Sequence, residues 1–204
     1  MVVLAAGRDT RDVIVDAAAA EILRVGLRKL SLVDVARRAG VSRQTVYRYF
    51  RDRDELVTAI VLRDQEAVLD TARTATESIT DLREALRVGI AAVLRQIRDH
   101  PYLDHLLTAE AEILVPFLTS PSSTVLLVSR PVLEELVAAR VPTLPVGRLR
   151  IFSELLARLL VSYTVSPPAQ APEDLAADLA DLFLDGLVPT PAPTAGPTQR
   201  SSPR

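Results

Sequence analysis

Six arginines and three aromatic residues (Tyr47, Tyr49 and Phe50) fall within residues 37–53 of this 204-residue chain. Only Asp52 opposes the positive charge in that segment, although the whole chain has a net charge of −2. Arginine side chains and tyrosine hydroxyls commonly bind nucleic-acid phosphates. Because a cluster of charge by itself is also typical of a solvated surface, the structural context must decide between these two interpretations.

A helix-turn-helix pattern surrounds this charge. Ser31 is placed to cap a short helix over Leu32–Ala39, in a sequence similar to a capping box. Gly40 then supplies the left-handed backbone of a turn, and Ser42 caps a second helix that ends at Phe50. The side chains expected to pack the two helices together are Val35, Ala36, Val41 and Val46. The second helix would present its N-terminal residues to base edges in the major groove of DNA.

Residues Leu30–Leu56, LSLVDVARRAGVSRQTVYRYFRDRDEL, closely resemble the DNA-binding segment of the TetR family of bacterial repressors. The matching positions are Ser31, Ala39-Gly40-Val41, Ser42, Thr45-Val46-Tyr47, Tyr49-Phe50, Arg53 and Leu56. Lysine is more usual in the family at the position of Arg53, so a phosphate contact there would have a different geometry. The resemblance covers roughly residues 10–60 and implies an N-terminal DNA-binding domain followed by a helical, effector-binding and dimerising domain.

The predicted DNA contacts divide into two kinds. We expect Arg43, Gln44 and Thr45 to reach base edges. Phosphates would be bound by Thr45, Tyr47, Tyr49 and Arg53. Ser42, at the exposed front of the same helix, is also predicted to belong to the DNA-binding set, in addition to capping the helix. Packing inside the protein is the alternative for Tyr47 and Tyr49, and it is the role expected of Phe50.

Composition excludes several other classes of protein. A content of 49% hydrophobic and 25% charged residues is typical of a globular chain, and no apolar run is long enough to span a membrane. The absence of cysteine excludes disulfides, thiol catalysis and cysteine-ligated metal sites. The first residues, MVVLAAG, are too short and insufficiently basic for a signal peptide. We therefore expect a cytoplasmic protein without a membrane anchor or a cofactor.

The whole chain is predicted to be all-α, because helical spacing of apolar residues recurs and no strand pattern competes with it. The expected helices cover Asp12–Val25, Leu32–Ala39, the segment from Ser42 to Phe50, 52–74, 80–99, 102–118, 124–140, 146–165 and 173–187. The predicted domains are 1–56 for DNA binding, 57–188 for effector binding and dimerisation, and 189–204 as a disordered tail. Residues 1–56 carry 11 Lys+Arg against 8 Asp+Glu, whereas residues 57–204 carry 13 against 18.

The larger domain is rich in helices that are apolar over wide faces, and such helices surround either a solid core or a cavity. The family resemblance implies a cavity, between residues of about 80 and 140. The predicted pocket residues are Tyr102, His105, Glu110 and Phe117. The function predicted on this basis is a repressor that is released from operator DNA by a small, largely apolar effector. The alternative is a DNA-binding protein of the same fold without a small-molecule switch.

Specific recognition of operator DNA predicts a homodimer, because one recognition helix reads only a few base pairs. The two last helices, over 146–165 and 173–187, carry apolar stripes that would form a four-helix bundle with their copies. The predicted interface residues are Phe152, Leu156, Leu159, Tyr163, Leu179 and Phe183. The alternative is that both stripes pack against the protein's own core.

Catalysis and metal binding are poorly supported by the sequence. His100 and His105 lie five residues apart on either side of a proline, which does not place them together on one helical face. Glu110 and Glu112 are two residues apart on a predicted helix and would point in different directions. Phosphate-loop, dinucleotide-binding and nucleophile-elbow motifs are missing from the sequence. We therefore expect neither an enzyme nor a metal site.

Overall fold

The computed structural model describes residues 9–120 and 123–187, and in this part of the chain it contains ten helices and no strand. The all-α prediction is confirmed. The helices are α1 (Thr10–Val25), α2 (Leu32–Ala39), α3 (Arg43–Tyr49), α4 (Arg53–Thr76), α5 (Leu82–Arg98), α6 (Leu103–Ala109), α7 (Ala111–Thr119), α8 (Thr124–Ala138), α9 (Val146–Val165) and α10 (Pro172–Leu187). The predicted tail, 189–204, lies outside the described residues.

The helix-turn-helix is built by the caps that the sequence predicted. Ser31 accepts a hydrogen bond from the backbone N–H of Val33 at 3.3 Å, and Ser42 accepts one from that of Thr45 at 3.0 Å. Gly40 has a φ of +69° in the left-handed region, where a Cβ would be strained, and it ends α2. The residues that pack α2 and α3 into the core are Val35, Ala36, Val46 and Phe50, all at most 2% exposed.

Helix α4 connects the two halves of the protein. Asp52 caps it by accepting a hydrogen bond from the backbone N–H of Glu55 at 2.8 Å, and its 24 residues extend over about 36 Å. Near its start, Leu56, Val57 and Ile60 are buried in the same core as α1–α3. Farther along, α4 packs against α5 and α8. This continuous helix crosses the predicted domain boundary at residue 56.

The segment predicted as one helix over 102–118 is two helices, which corrects the prediction. The break falls at Glu110, whose backbone leaves the helical region with φ −140° and ψ 31°. The helical periodicity is uninterrupted there, so the sequence gives no sign of the break. Its physical reason is a tertiary contact, because the Glu110 carboxylate binds the turn between α1 and α2.

A second core forms at the end of the molecule remote from α3. It brings together buried side chains of α5, α8, α9 and α10, among them Ile90, Val137, Leu156 and Ala180. Leu156 and Ala180 are completely buried, so α9 and α10 are held against α5 by their own apolar faces.

Glu21 forms a buried ionic cluster that fastens α2 to α1. Its side chain is 3% exposed and is paired with Arg24 of α1 and, at 2.8 Å, with Nε of Arg38 of α2. The hydrogen bond from Arg24 lowers the pKa of Glu21 to about 2, and the bond from Arg38 contributes to the same shift against the opposing effect of burial. The carboxylate is therefore ionised throughout the neutral and mildly acidic range.

The Glu21 cluster predicts how stability depends on pH. A carboxyl group whose pKa falls on folding stabilises the folded state fully above its unfolded pKa, near 4.5, and loses that effect as pH falls toward about 2. Replacing Glu21 by Gln should lower the urea midpoint of unfolding at neutral pH. The difference from the wild type should shrink as pH decreases through that window. A difference that stayed constant down to about pH 2 would show that the Glu21 charge is not the stabilising group.

Candidate DNA-binding surface and ligand cavity

Helix α3 presents the residues predicted to contact DNA. Arg43, Gln44 and Tyr47 are exposed, with Tyr47 at 51%, while Thr45 and Tyr49 are half-buried. Ser42 and Thr45 share a contact of 2.8 Å between their hydroxyl oxygens at the start of the helix. The sequence-predicted set therefore lies together at one end of the molecule, and the N-terminus of α3 is open to a partner.

The six arginines of residues 37–53 are not equivalent. Four pair with carboxylates: Arg37 with Asp34, Arg38 with Glu21, Arg51 with Glu55, and Arg53 with Asp54. Within the described residues, Arg43 and Arg48 pair with no carboxylate, and the Arg48 guanidinium instead lies 5.2 Å from the centre of the Tyr49 ring. Arg53 also approaches the carbonyl oxygen of Leu27 at 3.5 Å. The positive charge left for a phosphate backbone is thus smaller than the sequence count indicates.

A largely apolar cavity of about 130 Å³ lies between the two halves of the protein. Helices α4, α5, α6, α7, α8 and α9 contribute to its wall, and so do Ile22 of α1 and Leu27 of the following turn. The polar residues in the wall are Asp64, Gln65, His100, Tyr102, Ser129 and Thr164. A ligand in this cavity would contact the DNA-binding half directly.

The predicted pocket residues are only partly brought together by this cavity. Tyr102 lines it, but His105 is exposed, Glu110 binds the α1–α2 turn, and Phe117 packs at the edge of the core around α1. The wall of this cavity also extends beyond the predicted range of 80–140, because much of it comes from α4 and α9. The signal that sequence reasoning missed is the apolar stripe of α4, which is interrupted by the polar pair Asp64 and Gln65.

Asp64 is the centre of a polar cluster in the cavity wall. Its carboxylate accepts hydrogen bonds from Tyr102 Oη and from Arg63 Nη2 at 2.9 Å, and His100 Nε2 lies 3.5 Å away. Burial acts to raise the pKa of Asp64, but the hydrogen bonds from His100, Tyr102 and Arg63 outweigh burial and lower it. Burial next to this carboxylate raises the pKa of Tyr102. Asp64 is therefore an anion and Tyr102 a neutral phenol at neutral pH.

Glu110 joins the cavity helices to the DNA-binding half. Its Oε2 accepts hydrogen bonds from the backbone N–H groups of Leu27 at 2.6 Å and Arg28 at 3.2 Å. Gly26 makes room for the carboxylate, since a Cβ there would lie 2.5 Å from Glu110 Oε1, and its φ is +81°. Glu112 pairs with the Arg28 side chain, so both glutamates converge on this one turn.

Three of the six residues predicted for the dimer interface are covered by the protomer itself. Phe152, Leu156 and Leu179 are at most 4% exposed and belong to the protomer's own core, which corrects their assignment to an interface. Leu159, Tyr163 and Phe183 are half-buried against the same core. Among the described side chains of these two helices, the large apolar residues that are exposed are Val146, Ile151, Leu155 and Leu182. Periodicity identified the apolar helices but not which face the protomer itself covers.

Comparison with known proteins gives the family. The model of the N-terminal domain of bacterial regulatory proteins of the tetR family matches residues 14–60, and that of the bacterial tetracyclin repressor C-terminal domain matches residues 81–184. The chain belongs to the TetR family. It is therefore a DNA-binding transcriptional regulator and not an enzyme, and the resemblance stated from Leu30–Leu56 is confirmed.

Individual TetR-family relatives agree with this assignment. Two HTH-type transcriptional regulators of Mycobacterium tuberculosis, from strains CDC 1551 and H37Rv, are each 34% identical over 92 residues. Those matches cover 45% of this chain, and the chain spans about half the length of these curated relatives (46%). The crystal structure of the TetR family repressor AlkX from Dietzia sp. strain DQ12-45-1b is 25% identical, with a TM-score of 0.72, over 89% of this chain and 97% of that one. The repressor QsdR from R. erythropolis shares the fold at 24% identity and a TM-score of 0.64, over 89% of this chain and 96% of that one.

Across residues 9–120 and 123–187, no three His, Asp or Glu side chains are grouped so that they could hold a metal ion. No single helix in those ranges is long and apolar enough to cross a membrane, although the bent pair Ala111–Thr119 and Thr124–Ala138 passes the same test when taken together.

Because the arginines differ in their ion pairing, we expect their replacement by alanine to have unequal effects on DNA binding. Arg43→Ala should weaken operator binding by about 1–3 kcal/mol and relax base preference at one position, because this side chain is unpaired at the tip of α3. Arg51→Ala should leave affinity nearly unchanged, because Arg51 is 85% exposed and already paired with Glu55. Fluorescence anisotropy with operator and scrambled duplexes at matched salt would compare them. Equal losses in both variants would contradict the distinction drawn here.

Proposed function

We propose that the protein is a ligand-responsive repressor, which binds a near-palindromic operator as a homodimer and is released when a small, largely apolar molecule enters the cavity. The observation that carries this proposal is the shared cavity wall, to which α1 and the α1–α2 turn contribute Ile22 and Leu27. A ligand shifts a conformational equilibrium only if it binds the two states unequally. A molecule that touches both halves meets that requirement directly.

The size of the cavity supports the switch. A cavity of about 150 Å³ in an engineered protein holds a molecule as small as benzene. The volume here is about 130 Å³, so any larger ligand must move the surrounding helices apart. Because packed helices shift as units rather than deform continuously, such a ligand would change the orientation of α1 relative to α4 and α6.

The contact of Glu110 with the α1–α2 turn provides a route for this change. Leu106 of α6 and Leu114 of α7 both line the cavity, and Glu110 lies between these two residues at the break between the helices. Displacement of α6 or α7 by a ligand would pull the carboxylate away from the backbone N–H groups of Leu27 and Arg28. The helix-turn-helix would then lose the support that Glu110 gives to the α1–α2 turn.

The relatives support the repressor role. AlkX, at 25% identity, is a TetR family repressor implicated in the biodegradation of n-alkanes. We extend only the repressor role from it to this chain, and the apolar character of the ligand is our own inference from the cavity wall. The alternative function is DNA binding by the same α3 surface without a small-molecule switch. This alternative predicts that filling the cavity has no effect on DNA affinity.

The proposed division of labour assigns operator binding to residues 1–56, with the contacts made by Arg43, Gln44, Thr45, Tyr47, Tyr49 and Arg53 and the helix cap by Ser42. Ligand binding and dimerisation are assigned to residues 57–188.

For the dimer we propose the outward apolar face of α9 and α10. Ile151 and Leu155 lie one turn apart on α9 and Leu182 lies on α10, at 63%, 53% and 69% exposed. Burying such a face against its two-fold copy would remove apolar surface from water.

Filling the cavity by mutation should reproduce the effect of the ligand. Ala72 is 6% exposed and lines the cavity, so Ala72→Phe would place a ring inside it. We expect operator affinity to fall at least about tenfold, a change of about 1.4 kcal/mol, with the fold retained by circular dichroism. Ala67→Phe is the matched control, because Ala67 lies on the exposed side of the same helix. A folded Ala72→Phe variant with unchanged affinity would favour the alternative without a switch.

The proposed dimer face can be tested by a single charge. Leu155→Glu should give folded monomers, because burying an unpaired carboxylate in an apolar interface is unfavourable while the exposed position leaves the protomer core intact. Operator affinity should fall with dimerisation. Leu23→Glu, at 55% exposed on α1, is the control that should remain dimeric. Sedimentation at low micromolar concentration decides the matter, and a dimeric Leu155→Glu protein would exclude this face.

A further inference from the structure

The polar cluster around Asp64 extends beyond the cavity wall to α1. Nε and Nη2 of Arg63 donate to Asp64 Oδ1 at 3.2 and 2.9 Å, while Nη1 of the same side chain donates to Asp16 Oδ1 at 2.9 Å. Successive residues of a helix point about 100° apart, so Arg63 and Asp64 leave α4 in different directions. One guanidinium therefore joins a carboxylate of the cavity wall to a carboxylate of the DNA-binding half.

The second oxygen of Asp64 faces the segment that precedes α6. Oδ2 accepts a hydrogen bond from Tyr102 Oη and lies 3.5 Å from His100 Nε2. The rings of His100 and Tyr102 pack edge to face with their centres 4.5 Å apart, which positions the phenol. Asp64, His100 and Tyr102 line the cavity, whereas Arg63 and Asp16 lie outside its wall. These contacts therefore run from the cavity wall outward to α1.

Helix α6 stands between two connections to α1. Tyr102 immediately precedes it and leads through Asp64 and Arg63 to the first half of α1. Glu110 immediately follows it and binds the turn at the end of α1. Side chains of α6 line the cavity between these two points. Because two contacts fix the orientation of a helix where one does not, a displacement of α6 would change the orientation of α1.

Helix α6 is short and weakly held at its start. It has seven residues, and Tyr102 at its N-terminus forms no side-chain hydrogen bond to the helix backbone. A helix of about two turns has little stability of its own, so its position depends on packing and on the contacts at its two ends. A ligand that presses on α6 would therefore move Tyr102 or Glu110, which flank it.

The chemistry of arginine makes the connection through Arg63 sensitive to position. Its guanidinium is a planar, rigid fork, so it donates to Asp16 and Asp64 together only in one orientation. If Asp64 follows a movement of Tyr102, Arg63 cannot keep both partners in line. The Arg63 side chain is 36% exposed, and ion pairs at that exposure contribute little to stability. Arg63 should consequently affect where α1 lies more than how stable the protein is.

We propose that Arg63 is a positioning residue for operator binding, which holds the first half of α1 in the place set by Tyr102 and Asp64. Together with Glu110 it lets α6 act on α1 at two points. Because α2 packs against α1 and is tied to it by Glu21, the orientation of α1 decides where α3 is presented. This inference specifies how the ligand-responsive function proposed above is transmitted, and it rests on that function.

A double-mutant cycle on operator affinity tests the role of Arg63. Tyr102→Phe removes the hydroxyl that binds Asp64 and keeps the ring, and Asp16→Ala removes the acceptor of Arg63 Nη1. Each full-length variant should bind operator about fivefold more weakly, and the double variant also only about fivefold, because both changes break one series of contacts. Independent effects would multiply to about 25-fold. Fluorescence anisotropy at matched salt gives the values, and a multiplied loss, or no loss in the single variants, would overturn the proposal.

Variants of Arg63 and of a matched arginine complete the cycle. Arg63→Gln should bind operator about fivefold more weakly, and in that background Tyr102→Phe should have no further effect. Arg73→Gln is the control, because Arg73 lies on the same helix and pairs with Asp70 at the surface. It should leave operator affinity unchanged, and Tyr102→Phe should keep its full effect beside it. An undiminished effect of Tyr102→Phe in the Arg63→Gln protein would show that the connection does not pass through Arg63.

The urea midpoint of unfolding separates positioning from folding. We expect Arg63→Gln and Asp16→Ala to shift the midpoint no more than Arg73→Gln does, because all three changes remove partly exposed ion pairs. Losses of operator affinity that followed the midpoint across these variants would show that Arg63 only supports the fold, and would overturn its role in positioning.

Operator release by cavity filling is measured on the same variants, so that the two proposals can fail separately. If Ala72→Phe leaves the operator bound while the cycle shows one shared series of contacts, the switch is wrong and the positioning by Arg63 stands. If Ala72→Phe releases the operator while the losses in the cycle multiply, Arg63 is not the connection and the switch stands.

Discussion

The buried face of α4 is the constraint on which the rest of the structure depends. Near its start, Leu56, Val57 and Ile60 complete the core of the helix-turn-helix, and farther along Val68 and Ala72 pack toward α5. A helix is stiff along its axis, so one continuous element that belongs to the first core and then packs against α5 and α8 fixes the distance between the DNA-binding end and the C-terminal helices. The cavity lies along this same face, where the two cores meet.

Around α4, polar contacts hold the two halves together at a few defined points. Glu110 binds backbone N–H groups of the α1–α2 turn, and Arg63 of α4 reaches Asp16 of α1 at 2.9 Å. Arg63 also pairs with Asp64, which connects that contact to the polar cluster in the cavity wall. Charge-assisted hydrogen bonds of this kind are directional, so they specify one relative arrangement where apolar packing alone would tolerate several. The proposed switch would act by exchanging these contacts for another set.

Pairing with the protein's own carboxylates also divides the arginines of residues 37–53 into two groups. Arg38 is an internal partner of the buried Glu21, while Arg43 extends from the tip of α3 without an acidic partner in the described structure. Both have the same charge and lie on short helices, but one stabilises the domain and the other is available to a partner molecule. The charge of a basic segment therefore overstates what is available to DNA, because the protein's own carboxylates compensate part of it.

The sequence by itself determined the all-α fold, the helix-turn-helix and the family, because caps, glycine turns and apolar periodicity are local features that act within a few residues. Only the tertiary structure decided which faces are covered. Leu156 and Leu155 are neighbours in one apolar helix, but the first is buried in the protomer and the second is 53% exposed. The tertiary structure also decided that a helix is interrupted at Glu110, because the hydrogen-bond partners of Glu110 lie more than 80 residues away in the chain. Contacts between distant segments depend on how helices pack, and spacing along the chain does not encode that packing.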